Sequence, residues 1–258
     1  MIIWNVIEKP KLRNPILVEG LPGIGNVGKV ASEYFIEKLK AKKFAELYSD
    51  HYPYHVFVNE DDTIDLPRNE FYYYRSKKKG EPDLIIITGD IQSMTPHGHY
   101  EIVKAMLDFV KPYGVKQMYT LGGFGVPVLP KTPKVIGAVT QPEFKKKYEK
   151  LGVKFEKGER VGIIIGASGL LLGLGKIEGV EGICLMGETL SRPMFTDAKA
   201  AKHVLLELCK LLKLRLDMKD LDERSVEMDR AIAKAREIEK SMISDSRGGK
   251  PDEFRYIG

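Results

Sequence analysis

Short apolar runs and helical stripes alternate along most of this chain. Ile3–Ile7, Ile16–Val18, Phe44–Tyr48, Leu84–Thr88, Gln117–Leu121, Val135–Val139, Val161–Ile165 and Gly182–Met186 have the length and apolar content of strands. Leu84–Thr88 is the clearest, a continuous apolar run followed by Gly89-Asp90. From Val27, the residues Val30, Ala31, Tyr34, Phe35 and Leu39 fall at three- and four-residue spacings and predict a helix. Similar stripes predict helices over Tyr100–Lys111 and Glu143–Leu151. A further one follows Thr196 or Asp197, either of which can cap it, with Ala201, Val204, Leu205, Leu208, Leu211 and Leu212 on one face.

Strand, glycine turn and helix in succession predict an α/β fold with a mostly parallel sheet flanked by helices. Val56–Val58, Thr63–Leu66 and Phe71–Arg75, broken by Asn59–Asp62 and Pro67-Arg68-Asn69, predict a β-excursion from that plan. After Asp217 charges become dense and the apolar positions thin to Leu221, Met228, Ile232, Ala235 and Met242, a narrow seam suited to a helix that docks on something. The expected organisation is an α/β core over 1–216, a C-terminal helix over 217–245 and a tail over 246–258. The tail is a polar tether ending in aromatic and apolar residues. Phe254, Tyr256 and Ile257 are its candidate partner-binding residues, with packing on the chain's own core as the alternative.

Of the 258 residues, 43% are hydrophobic and 30% charged, which excludes a disordered chain and supplies a sizeable core. The net charge of +5 is spread among interleaved acidic and basic residues, so nucleic acid is not an expected partner. Lys77–Lys79 and Lys145–Lys147 read as solvated faces. No apolar run approaches the about 20 residues that cross a bilayer, and the start, interrupted by Glu8, Lys9 and Pro10, is too short for a signal peptide. Cys184 and Cys209 sit amid apolar residues, as buried reduced thiols do, and a cytoplasmic location is expected. Abundant Lys and Glu, with Gln92, Gln117 and Gln141 the only glutamines, lean towards a thermophilic source.

The stretch Ile16–Tyr34 holds the main candidate chemistry. Gly23, Gly25 and Gly28 satisfy a dinucleotide fingerprint, with Asp50 at about the distance of a ribose-binding acid. Gly23 to Lys29 also resembles a P-loop, but Val30 stands where a hydroxyl should hold magnesium. The third reading is a tight turn whose glycines permit close helix-to-strand approach without any ligand. Gly166-Ala167-Ser168-Gly169 invites comparison with a nucleophile elbow, but Leu170 occupies a required glycine position and Ser168 reads as a turn or cap residue. His97-Gly98-His99, with Asp90 or Glu101, lacks the three or four ligands of a recognisable metal pattern, and His51 and His55 have no identifiable acid. Asp90 and Glu188 follow apolar strands without an assignable titratable partner. The expectation is therefore no catalytic residue, no cofactor and no metal.

Several stretches together resemble a known family. EGLPGIGNVGKVA at Glu19–Ala31, TGDIQ at Thr88–Gln92 and YTLGG at Tyr119–Gly123 occur in the order found in the proteasome-assembly chaperone family. GASGLLLGLG at Gly166–Gly175, LMGET at Leu185–Thr189 and the helix with Asp197 and Ala200-Ala201 continue it, and the chain looks like an archaeal member. The resemblance implies a nucleoside-phosphorylase-like plan used as a non-enzymatic, homo-oligomeric protein-binding scaffold. It implies proteasome α-subunits or another family member as partner. Proteasome-binding relatives end in hydrophobic-Tyr-X; here Tyr256 is third from last and Arg255 precedes it where a hydrophobic residue should be. A nucleotide- or phosphate-binding enzyme using the glycine loop at 20–28 is the alternative.

Overall fold

The computed structural model describes residues 1–78, 81–155, 162–191 and 196–228. The chain forms an α/β fold around an eight-stranded sheet. Its strands are β1 (Ile2–Val6), β2 (Ile16–Glu19), β3 (Lys42–Ser49), β6 (Asn69–Tyr74), β7 (Leu84–Gly89), β8 (Gln117–Val126), β9 (Val135–Val139) and β10 (Glu181–Leu190). The order is β1-β3-β6-β7-β2-β8-β10-β9. The parallel part is the centre, β7-β2-β8-β10; β6, β3 and β1 on one side and β9 on the other pair antiparallel. The sheet is thus mixed, with its parallel strands in the buried middle, where β2 and β7 are covered on both faces.

Period-two alternation divides the strand residues between two cores. Val18, Ile86, Leu121 and Leu185 face α1 (Val27–Leu39) and α5 (Ala198–Leu212). Leu17, Ile85, Met118 and Met186 face α2 (Pro96–Val110) and α4 (Ala167–Ile177). The edge strand β1 is anchored on the second face by Trp4, stacked on Phe109 with ring centroids 4.0 Å apart. A short helix, α3 (Pro142–Glu149), lies beside β9.

Three expectations change. Only β4 (Phe57–Val58) and β5 (Ile64–Asp65) leave the sheet, as a separate hairpin, while β6 joins β7 in the main sheet. Residues 162–165 are not a strand: the two neighbours of β10 are β8 and β9, so no slot is free, and Ile163 and Ile165 are 82% and 88% exposed. β8 runs past Leu121 through its glycines, because Gly122, Gly123 and Gly125 continue the ladder with β10.

The docking partner expected for the C-terminal segment is, over its described part, the core itself. Met218 and Leu221 are buried in the first core, Tyr34 Oη donates to the carbonyl of Asp217 at 2.8 Å, and Lys38 and Lys202 pair with Asp220 and Asp222. The rest of the expected helix, beyond 228, and the tail with Phe254, Tyr256 and Ile257 lie outside the described residues.

Candidate functional site

Strand β2 delivers the chain to the carboxyl end of the parallel strands, where open α/β sheets place their ligands. A 3-10 turn, Ile24–Asn26, then leads into α1. Gly25 has φ 62°, a left-handed conformation that favours glycine, and a Cβ there would lie 2.6 Å from Thr189 Oγ1. A Cβ on Gly28 would lie 2.3 Å from the carbonyl oxygen of Leu121, and one on Gly123 would lie 2.1 Å from that of Ile24. These glycines let the turn, the first helix and β8 lie backbone against backbone. Gly25 and Gly28 of the fingerprint are thus taken up by protein contacts and Val27 and Gly28 at the helix start are buried, while Gly23 borders an open crevice.

The other parts of the nucleotide readings are dispersed. Lys29 Nζ donates to the carbonyl of Gly89 at 2.9 Å and lies near Glu33 and Asp90, not over the turn. Asp50 follows β3, which β6 and β7 separate from β2, so it cannot serve as the acid beside the glycine turn.

What the site does bring together is a set of side chains from distant stretches. Gln92 Nε2 donates to the carbonyl of Pro22 at 2.5 Å while its Oε1 accepts from the Ala167 amide at 2.8 Å, joining the glycine turn to the start of α4. Ser168 Oγ donates to Glu19 Oε2 at 2.9 Å, and Glu19 Oε1 accepts from the Leu21 amide at 3.1 Å. Thr189 Oγ1 donates to Asp197 Oδ2 at 2.7 Å; Asp197 Oδ1 caps α5 by accepting from the Ala200 amide at 2.8 Å, and its own amide donates to the carbonyl of Gly25 at 2.8 Å. The Glu19, Gln92, Ser168, Thr189 and Asp197 stretches thus form one polar knot in which the groups bind each other.

Burial raises the Glu19 carboxyl to about 7, although its hydrogen bonds from Ser168 and Leu21 pull the other way. When protonated it can donate to Ser168, whose hydroxyl also lies 3.4 Å from the Leu121 carbonyl. Burial also pushes the Cys184 thiol up to about 12, with the Glu19 carboxylate adding to the rise, so it is not a poised nucleophile. Ser168 sits within the first turn of α4, neither cap nor strand-to-helix elbow; its hydroxyl meets a carboxylate and a carbonyl. A carboxyl titrating near neutrality suits proton transfer in principle, but Glu19 is fully buried, with Ser168 between it and the crevice. In the sequence the one signal of Glu19 is a charge at the end of an otherwise apolar strand, which alone does not mark a titratable group at a site.

The crevice itself measures about 540 Å³ and runs along the ends of β2 and β8, with Ile24, Phe124, Ile163 and Ile165 among its apolar walls and Gln92 and Ser168 at its polar side. The remaining sequence candidates fall elsewhere. Glu188 Oε2 accepts from the Lys134 amide at 3.0 Å, and Asp90 Oδ2 from the Arg68 amide at 3.2 Å. Lys145 and Lys147 pair with Glu149 and Glu181, as a solvated face would. Cys184 and Cys209 are buried and free. His51, His97 and Glu101 meet at the start of α2, whereas His99 Nδ1 is engaged by the Thr95 carbonyl at 3.0 Å. Among the described residues no helix is long and apolar enough to cross a membrane.

Known proteins share both the sequence and this architecture. The chain is 38% identical to the uncharacterised protein MJ1210 of Methanocaldococcus jannaschii, over the whole of this chain and 98% of that one. It superposes on Pyrococcus furiosus PbaB, described as an archaeal proteasome activator, with TM-score 0.86 and 43% identity, covering 91% of this chain and 98% of that one. Pyrococcus furiosus PbaA, described as an archaeal homologue of proteasome-assembly chaperone, matches with TM-score 0.72 and 27% identity over 94% and 100%. The PAC2 family profile matches residues 17–236, a span that holds every group of the polar knot, and the chain belongs to the PAC2 family, as an archaeal homologue of the proteasome-assembly chaperones.

Proposed function

We propose that this chain is a non-enzymatic, cytoplasmic protein-binding scaffold that assembles as a homo-oligomer and engages the proteasome through its α-subunits. The observation that carries the reading is the polar knot: the polar side chains around the carboxyl ends of the parallel strands are bonded to one another and to nearby backbone, and the crevice beside them is walled largely by apolar groups. A second support lies on the hairpin β4–β5, where Val58, Ile64 and Leu66 are 70%, 66% and 57% exposed, an apolar surface of the kind that meets another protein. PbaB and PbaA supply the choice of partner. In this reading residues 1–216 build the assembly, 217–245 form a docked helix, and 246–258 carry Phe254, Tyr256 and Ile257 to the partner.

Co-sedimentation of the full chain and of a chain lacking Lys250–Gly258 with proteasome α-subunits tests both parts. Binding by the full chain and its loss on truncation is expected. Equal binding by both forms would remove the tail from the account, and absence of binding by either would remove the proteasome.

A further inference from the structure

We infer that His51, His97 and Glu101 form a binding site for one divalent transition ion of the zinc class. The three ligand atoms lie within 4.8 Å of one another. His97 and Glu101 are four residues apart on the first turns of α2, hence on one face, and His51 arrives from the loop after β3. Glu101 already spans the pair: its Oε2 lies 2.5 Å from His51 Nε2 and its Oε1 lies 3.2 Å from His97 Nε2. The two rings stand edge to face at 5.7 Å, so their nitrogens converge on the carboxylate. Ligand atoms ~2.0–2.2 Å from a tetrahedral zinc stand ~3.3–3.6 Å from one another, so small side-chain rotations that open the Glu101–His51 contact seat the ion among the three.

The scaffold holds these groups in place. The His51 amide donates to Ser49 Oγ at 3.1 Å and its carbonyl accepts from the Met94 amide at 3.2 Å. Its ring lies against Gly98, where a Cβ would come within 2.5 Å of His51 Cγ, so a glycine in α2 is what admits the imidazole. Thr95 caps the same helix by accepting from the Gly98 amide at 3.1 Å, fixing the turn that bears His97. Two imidazoles and one carboxylate select zinc, cobalt or nickel over calcium and magnesium, which take oxygen sets. With three protein ligands and His97 76% exposed, a fourth position faces solvent.

Calorimetric titration of chelator-treated full-length protein with zinc chloride tests the site, with cobalt absorption as a second readout. One saturable ion per chain is expected, with affinity at least about tenfold weaker in His97→Ala and unchanged in His99→Ala. His97 is exposed, so its removal should leave the melting temperature of the metal-free protein unaltered, while a given zinc concentration raises that of the parent and of His99→Ala more than that of His97→Ala. Absence of saturable binding, or equal binding by parent and His97→Ala, would overturn the assignment.

Discussion

Ser168 donates its hydroxyl to the buried carboxyl of Glu19 across 149 positions of sequence, pinning the start of α4 to the end of β2. Because burial raises that carboxyl to about 7 from an ordinary 4.5, the folded chain holds a proton that the unfolded chain has released. Stability should therefore fall as pH rises from about 4.5 to about 7 and level off above, by on the order of 3 kcal/mol for this group. Glu19→Gln, which cannot ionise, should flatten that part of the profile and gain over the parent at pH 8. Denaturant melts of the two forms at several pH values measure it; superimposable pH profiles would show that Glu19 does not titrate in this range.

At Gly28 α1 lies backbone against β8, with the Leu121 carbonyl 2.3 Å from where a Cβ would be. Backbone cannot yield as a flexible side chain does, so Gly28→Ala should cost at least ~2 kcal/mol, read as a lowered urea midpoint. A loop kept open for a ligand would accept the methyl group with little change in the ligand-free protein.

Asp197 combines a helix cap with a buried bond to Thr189. Asp197→Ala should lose ~2–3 kcal/mol, the cap plus the unpartnered hydroxyl, while Asp197→Asn, which can still cap, should lose less. Thermal denaturation of both variants compares the two losses.

Val58 and Ile64 face each other in the register of the β4–β5 hairpin, both exposed. If the hairpin packs on a second copy, the double change Val58→Asp and Ile64→Lys, an opposite-charge cross-strand pair, should lower the mass seen by sedimentation velocity without altering the melting of the fold. An unchanged mass would place the interface elsewhere.

The fold was legible where one local signal sufficed. β7 is a continuous apolar run from Leu84 to Ile87 because it is buried on both faces, and Asp197 could be named as a cap because caps act within three residues. Residues 162–165 could not be placed from sequence because an apolar run reads alike whether it enters a sheet or lines a crevice; only the pairing of β9 with β10 decides, and that is a long-range event. The glycines after Leu121 resemble a strand end, yet they extend β8 because the glycine turn lies on them. The knot was legible as a set of family stretches but not as contacts, and His51 could not be joined to Glu101, 50 positions away, without the fold.

The backbone around residues 20–28 is expected to serve internal packing and not small-molecule capture. Calorimetric titration of the purified chain with ATP, NAD and inorganic phosphate, each in excess, decides this. No saturable heat is expected from any of the three; stoichiometric binding of one of them that Gly25→Ala abolishes would show the glycine turn to be a ligand site.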